Sequence, residues 1–110
     1  MKKLILLAVL SVFFAFTVNA HPASKVTLRY KDGKLDINIT HKVKNYNTHY
    51  IKTVEIYVNG ELVKKMELTH QNDVDYSTFL ESMPNLKRGD VVEVKTICNK
   101  FGNKSGKIVI

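Results

Sequence analysis

From residue 25 onward, apolar and polar side chains alternate in short runs, the period of a strand with one buried face. In the first run, Lys25 to Tyr30, Val26, Leu28 and Tyr30 share a face, and Lys31-Asp32-Gly33-Lys34 then turns the chain. In the second, Leu35 to Val43, the residues Leu35, Ile37 and Ile39 point one way and Asp36, Asn38 and Thr40 the other. A polar loop, Lys44 to Thr48, leads to a third run, Tyr50 to Val58, closed by Asn59-Gly60, a strong two-residue hairpin signal. Leu62 to Thr69 follows, with Leu62, Lys64, Met66 and Leu68 in one parity, until His70-Gln71-Asn72-Asp73 breaks it. Asp75 to Glu81 is a weaker run. Val91 to Cys98 is a strong one, with Val92, Val94, Thr96 and Cys98 on one face. After a turn from Asn99 to Gly106, Lys107 to Ile110 ends the chain. Seven or so short strands separated by turn signals, with no helical periodicity, predict an all-β fold: an antiparallel β-sandwich of immunoglobulin-like plan.

Residues 1–20 do not belong to that pattern. Lys2 and Lys3 precede an apolar stretch, Leu4 to Phe16, and Val18-Asn19-Ala20 offers a small-residue cleavage site. This is the form of a secretory signal peptide, since the apolar stretch is too short to span ~30 Å of hydrocarbon as a helix. Cleavage between Ala20 and His21 is expected to leave one domain, residues 21–110, in the periplasm or secreted. No cysteine follows the apolar stretch, so no lipid anchor is expected. Loss of the two leader lysines takes the net charge from +7 to +5, carried by lysines spread over every strand and turn. With no arginine-rich, aromatic-interleaved stripe, nucleic acid is not an expected partner. An exported domain of this size is often stapled by disulfides, yet Cys98 is the one cysteine and has no partner within the chain. It is a small buried hydrophobe, a metal ligand or an intermolecular thiol, the last leaving room for a homo-oligomer.

The chemistry-bearing residues are few. His41 continues the parity of Leu35, Ile37 and Ile39, so its imidazole should leave the strand on the apolar face. His49 opens the third run across the loop, and Cys98 ends the strongest strand on its inward face. Imidazoles and a thiolate gathered at strand ends would suit iron, copper or zinc, not calcium or magnesium. His21 would become the mature N-terminus, offering an α-amino group and an imidazole together, a chelate that copper(II) favours. His70, in a turn, reads as solvated. The same residues admit a plainer account: loop-flanking polar groups on a β-sandwich binding module without a metal.

A resemblance bears on that choice. The run His49-Tyr50-Ile51 followed by Val54-Glu55-Ile56-Tyr57 and Gly60, together with Cys98-Asn99-Lys100-Phe101-Gly102, resembles the iron-binding domain of the superoxide reductases, the desulfoferrodoxin family. It extends from about Lys25 to Gly106 in strand order. It implies an immunoglobulin-like sandwich, a mononuclear iron held by histidines and an axial cysteine, and an oxidoreductase that reduces superoxide with electrons from a redox partner protein. The positions that carry over are His41, His49 and Cys98. Phe101 stands where the family's last histidine ligand should be, and the lysine-bearing E-K-H-x-P loop is missing, its nearest counterpart being His21-Pro22. The resemblance therefore implies an exported iron site, with copper as the alternative metal, and with reduced or altered activity.

Overall fold

The structure, a computed structural model, describes residues 21–110. The leader expected over 1–20 lies outside the described residues. Seven strands are present: β1 (Lys25–Lys31), β2 (Lys34–Thr40), β3 (Ile51–Val58), β4 (Glu61–Glu67), β5 (Tyr76–Ser82), β6 (Val91–Cys98) and β7 (Asn103–Val109). They form two antiparallel sheets, ordered β1-β2-β5 and β4-β3-β6-β7. The chain crosses between sheets after β2, β4 and β5, the Greek-key habit of immunoglobulin-like sandwiches.

The alternation read from the sequence is what faces inward. Leu35, Ile37 and Ile39 of β2 pack against Val54 and Ile56 of β3 and Val92 and Val94 of β6, all fully buried. Burying each such side chain contributes about 1.5–3 kcal/mol, so these positions fix the register. Strands β1 and β7 approach closely at Gly106, where an added Cβ would run into the Val26 carbonyl oxygen. Asn59 and Gly60 both take positive φ, 51° and 85°, the type I′ geometry that lets two right-twisted strands meet directly.

Two strand ends and one pairing differ most from the sequence reading. Strand β2 ends at Thr40 rather than Val43, although His41 N–H still bonds the Asp75 carbonyl and Val43 N–H the Val74 carbonyl. Strand β7 starts at Asn103, because its first four residues carry no apolar alternation yet pair in register with β6. Strand β3 is irregular against β6: Ile51 faces Cys98 but Thr53 faces Ile97, so β3 has one extra residue there. That bulge changes the parity. Ile51 would otherwise point away from the side of Val54 and Ile56, yet all three are fully buried.

Candidate metal centre

The N-terminal end of β1, the C-terminal ends of β2 and β6 and the start of β3 all reach the same end of the sandwich, and the histidines are found there. His41 follows β2, keeps its inward parity and is fully buried. His49 precedes β3 in a turn where its N–H donates to the Asn45 carbonyl at 2.9 Å. The bulge that turns Ile51 inward sets the path of this segment. Asn99 clamps it from the β6 side: Asn99 Nδ2 donates to the Thr48 carbonyl at 3.0 Å, Tyr50 N–H donates to Asn99 Oδ1 at 2.9 Å, and Asn99 N–H donates to the Tyr50 carbonyl at 3.0 Å. His49 is thus bracketed on both sides by bonds to one asparagine.

His21 arrives from the other direction. Ser24 N–H bonds the Thr40 carbonyl at 2.9 Å, Ala23 is buried, and the Pro22 ring packs on Gly102, where an added Cβ would meet it at 3.1 Å. This places His21 beside the other two rings. The centroid separations are 5.1 Å for His21–His41, 5.0 Å for His21–His49 and 4.8 Å for His41–His49. One ligand nitrogen from each imidazole lies within 4.8 Å of the others. Three nitrogen donors so placed can converge on one cation.

The hydrogen bonds fix how one of these rings is presented. Buried Gln71, in the turn that the sequence marked only as a strand breaker, donates its amide NH2 to the carbonyls of His41 at 3.1 Å and Asp73 at 3.0 Å. Its Oε1 accepts the Ile51 N–H at 3.1 Å. The amide orientation is therefore set by backbone groups, and the same Oε1 meets His41 Nδ1, which must donate to it. In the neutral ring this leaves the lone pair on His41 Nε2, the tautomer in which a second-shell acceptor prepares a histidine for metal. His41 Nε2 itself lies 3.2 Å from the His21 carbonyl oxygen, which can only accept, so this nitrogen would coordinate a metal only on giving up that contact.

His49 shows the complementary feature. Its Nε2 is buried and has no hydrogen-bond partner, the one such side-chain atom among the described residues. A buried polar atom left unpaired costs about 1–3 kcal/mol, so its retention asks for an explanation. Burial, then the neighbouring His41 and His21, push its pKa below the ordinary histidine value. The neutral, coordinating form is favoured. Orphaned nitrogen, oriented tautomer and all-nitrogen donor set together fit a borderline transition metal.

Cys98 lies at the same end, opposite Ile51 in the ladder, buried, with its sulfur accepting the Lys100 N–H at 3.4 Å. Its sulfur is not part of the mutually close ligand set, which holds the three histidines. Phe101 is largely exposed, and His70 bonds the Thr69 hydroxyl away from the cluster. A cleft of about 610 Å³ opens onto His21 and His49 and is lined by Lys42, Lys44, Asn45 and Thr48. Its two ammonium groups favour an anionic visitor.

No family model and no curated protein matches the chain. Among solved structures, the superoxide reductase (neelaredoxin) from Ignicoccus hospitalis is similar, at 14% identity, with 86% of this chain and 84% of that one covered and a TM-score of 0.46. A likeness that distant carries no argument about function. The sandwich stands on its own strands and the histidine cluster on its own distances.

Proposed function

We propose that the chain is an exported mononuclear metal protein that acts on a small anionic oxidant such as superoxide, with a redox partner protein or a diffusible reductant supplying electrons. The observation that carries this is the buried, partnerless His49 Nε2 beside two further imidazoles, one of them oriented by Gln71. His21, His41 and His49 would hold the metal, with Cys98, at the same end of the sandwich but outside that close set, as a further candidate. Iron is the metal that the family resemblance implies, and three imidazoles also suit copper. A bound redox metal would supply one-electron exchange with the oxidant. The protein's part is to keep the imidazoles neutral, hold their orientation and draw an anion in with Lys42 and Lys44. Phe101 offers no ligand atom, so reductase activity below that of a full histidine set is expected.

The test is metal analysis of protein purified from its native compartment, followed by titration of the metal-free protein with iron(II) and copper(II). Close to one equivalent of bound metal, lost in His49→Ala, supports the reading. A wild-type protein that purifies metal-free and takes up neither ion returns the chain to the class of non-catalytic binding modules.

A further inference from the structure

The segment that delivers His21 is short and fixed on every residue: Ser24 by its bond to Thr40, Ala23 by burial, Pro22 by its contact with Gly102. The backbone of His21, not only its ring, therefore sits at the cluster, with its carbonyl oxygen 3.2 Å from His41 Nε2. The ring turns its Nδ1 toward its own main chain, 2.9 Å from the Pro22 carbonyl oxygen. The expected cleavage falls on the peptide bond just before this residue. We propose that removal of the leader completes the metal centre: the α-amino nitrogen freed on His21 becomes a fourth nitrogen ligand beside the three imidazoles, and the site so made selects copper(II) over iron(II). The inference rests on the metal-centre reading above and names its fourth ligand and its metal.

The chemistry balances simply. Hydrolysis adds one water across the Ala20–His21 bond, leaving a carboxylate on Ala20 and a protonated amine on His21. An α-amine has a pKa of about 7.7–8.0, well below a lysine, so a metal displaces its proton near neutral pH and releases it to solvent. The amine and the Nδ1 of the same residue would close a six-membered chelate ring with one ion once Nδ1 leaves the Pro22 carbonyl oxygen. Pro22 limits the mode of binding. It has no amide proton to lose, so copper cannot recruit the next backbone nitrogen and is left with the amine and the imidazoles. Nitrogen donors favour copper(II) over iron(II) in the general order of divalent affinities, and a fourth one widens the gap. Before cleavage the same nitrogen is an amide and a poor ligand, so the precursor should not hold copper tightly.

The test compares residues 21–110 starting at a free His21 with the same chain carrying an acetyl group on that α-amine. Copper(II) and iron(II) are titrated against a competing chelator. Acetylation removes the amine as a donor yet leaves all three imidazoles, so copper(II) affinity should fall by at least the roughly 10–100-fold that loss of a mere second-shell partner costs. Iron(II) affinity should change much less. Unchanged thermal melting of the metal-free forms excludes misfolding. Copper affinities within threefold of each other overturn the inference while leaving the three-histidine centre intact. Exported protein that begins at Ser24 by mass spectrometry overturns it as well. Failure of the free-His21 chain to bind either metal removes the underlying reading.

Discussion

The two ends of the sandwich solve the same problem, closing loops over a small core, in opposite ways. At the Asn59–Gly60 end every recruited polar side chain finds a local partner. Asn59 Nδ2 donates to Asp90 Oδ1 at 3.1 Å, Val91 N–H donates to Asn59 Oδ1 at 2.9 Å, and Lys87 N–H donates to Asp90 Oδ2 at 2.8 Å. The Tyr30 hydroxyl donates to the Met83 carbonyl at 2.6 Å, closing the neighbouring loop. Among the described residues, no buried side-chain atom at that end lacks a partner. At the histidine end, Gln71 and Asn99 spend their hydrogen-bonding groups on holding backbone and His41, while three imidazoles crowd together and one buried nitrogen goes unpaired. Natural cores rarely leave such an atom without a reason. The contrast separates polar groups that finish a fold from polar groups that a fold holds ready.

The largest effect should come from deleting the buried ring. His41→Ala leaves a cavity and strands Gln71 Oε1 with one partner fewer, so unfolding free energy should drop by about 2–4 kcal/mol. Metal binding should vanish with it. Asn59→Ala removes two side-chain bonds and places alanine at a positive φ, with an expected loss of about 1–2 kcal/mol and no change in metal affinity. Denaturant unfolding and calorimetric metal titration of both variants read this directly. If Asn59→Ala weakens metal binding as much as His41→Ala does, the ends are not independent and the contrast fails.

Gln71→Ala should come next. It leaves the Ile51 N–H and the carbonyls of His41 and Asp73 without their partner and frees the His41 ring to change tautomer. Loss of a second-shell partner of this kind lowers metal affinity about 10–100-fold. Histidine NMR of the metal-free variant should show His41 leaving the Nδ1–H form. Retention of that tautomer in Gln71→Ala would show that Gln71 is a loop anchor and not an orienting partner.

Much of this was legible beforehand, for a physical reason. Alternation is a local signal, so the parity of Leu35, Ile37 and Ile39 carried over to His41, and that of Val92 and Val94 to Cys98, both of them buried. The turn at Asn59–Gly60 was equally local. What was not legible depends on partners distant in sequence. Gln71 looked like part of a strand-breaking turn, and only the fold reveals that it lies against His41, thirty residues earlier. The bulge before Thr53 is a property of pairing with β6, not of the β3 sequence. The polar start of β7, Asn103 to Gly106, lacks any pattern of its own and is held as a strand by its neighbour. Cys98 was open to three readings, buried hydrophobe, ligand or intermolecular thiol, because strand-end placement does not say which way the following loop steers the sulfur.

The smallest expected effect is a difference in how acid reaches the two ends of the metal-free protein. Burial and the neighbouring histidines hold the His49 pKa below its ordinary 6.5. As pH falls through 6.5 the unfolded chain therefore takes up a proton that the folded chain refuses, and stability drops until the folded value is passed. Asp90 titrates lower: the Lys87 backbone bond and then the Asn59 side chain hold its carboxyl below 3.8, so its contribution is complete above 3.8 and is lost only as pH falls below that. Acid should thus loosen the histidine end first and the hairpin end later. The His49 step should be small, because the half-buried ring borders an open cleft and its charge is partly screened by water. Thermal melting between pH 8 and pH 3 should show two separate declines, the upper one shrinking in His49→Gln and the lower one in Asp90→Asn. An upper decline that survives unchanged in His49→Gln would mean that the unpaired imidazole does not set the acid response of its end.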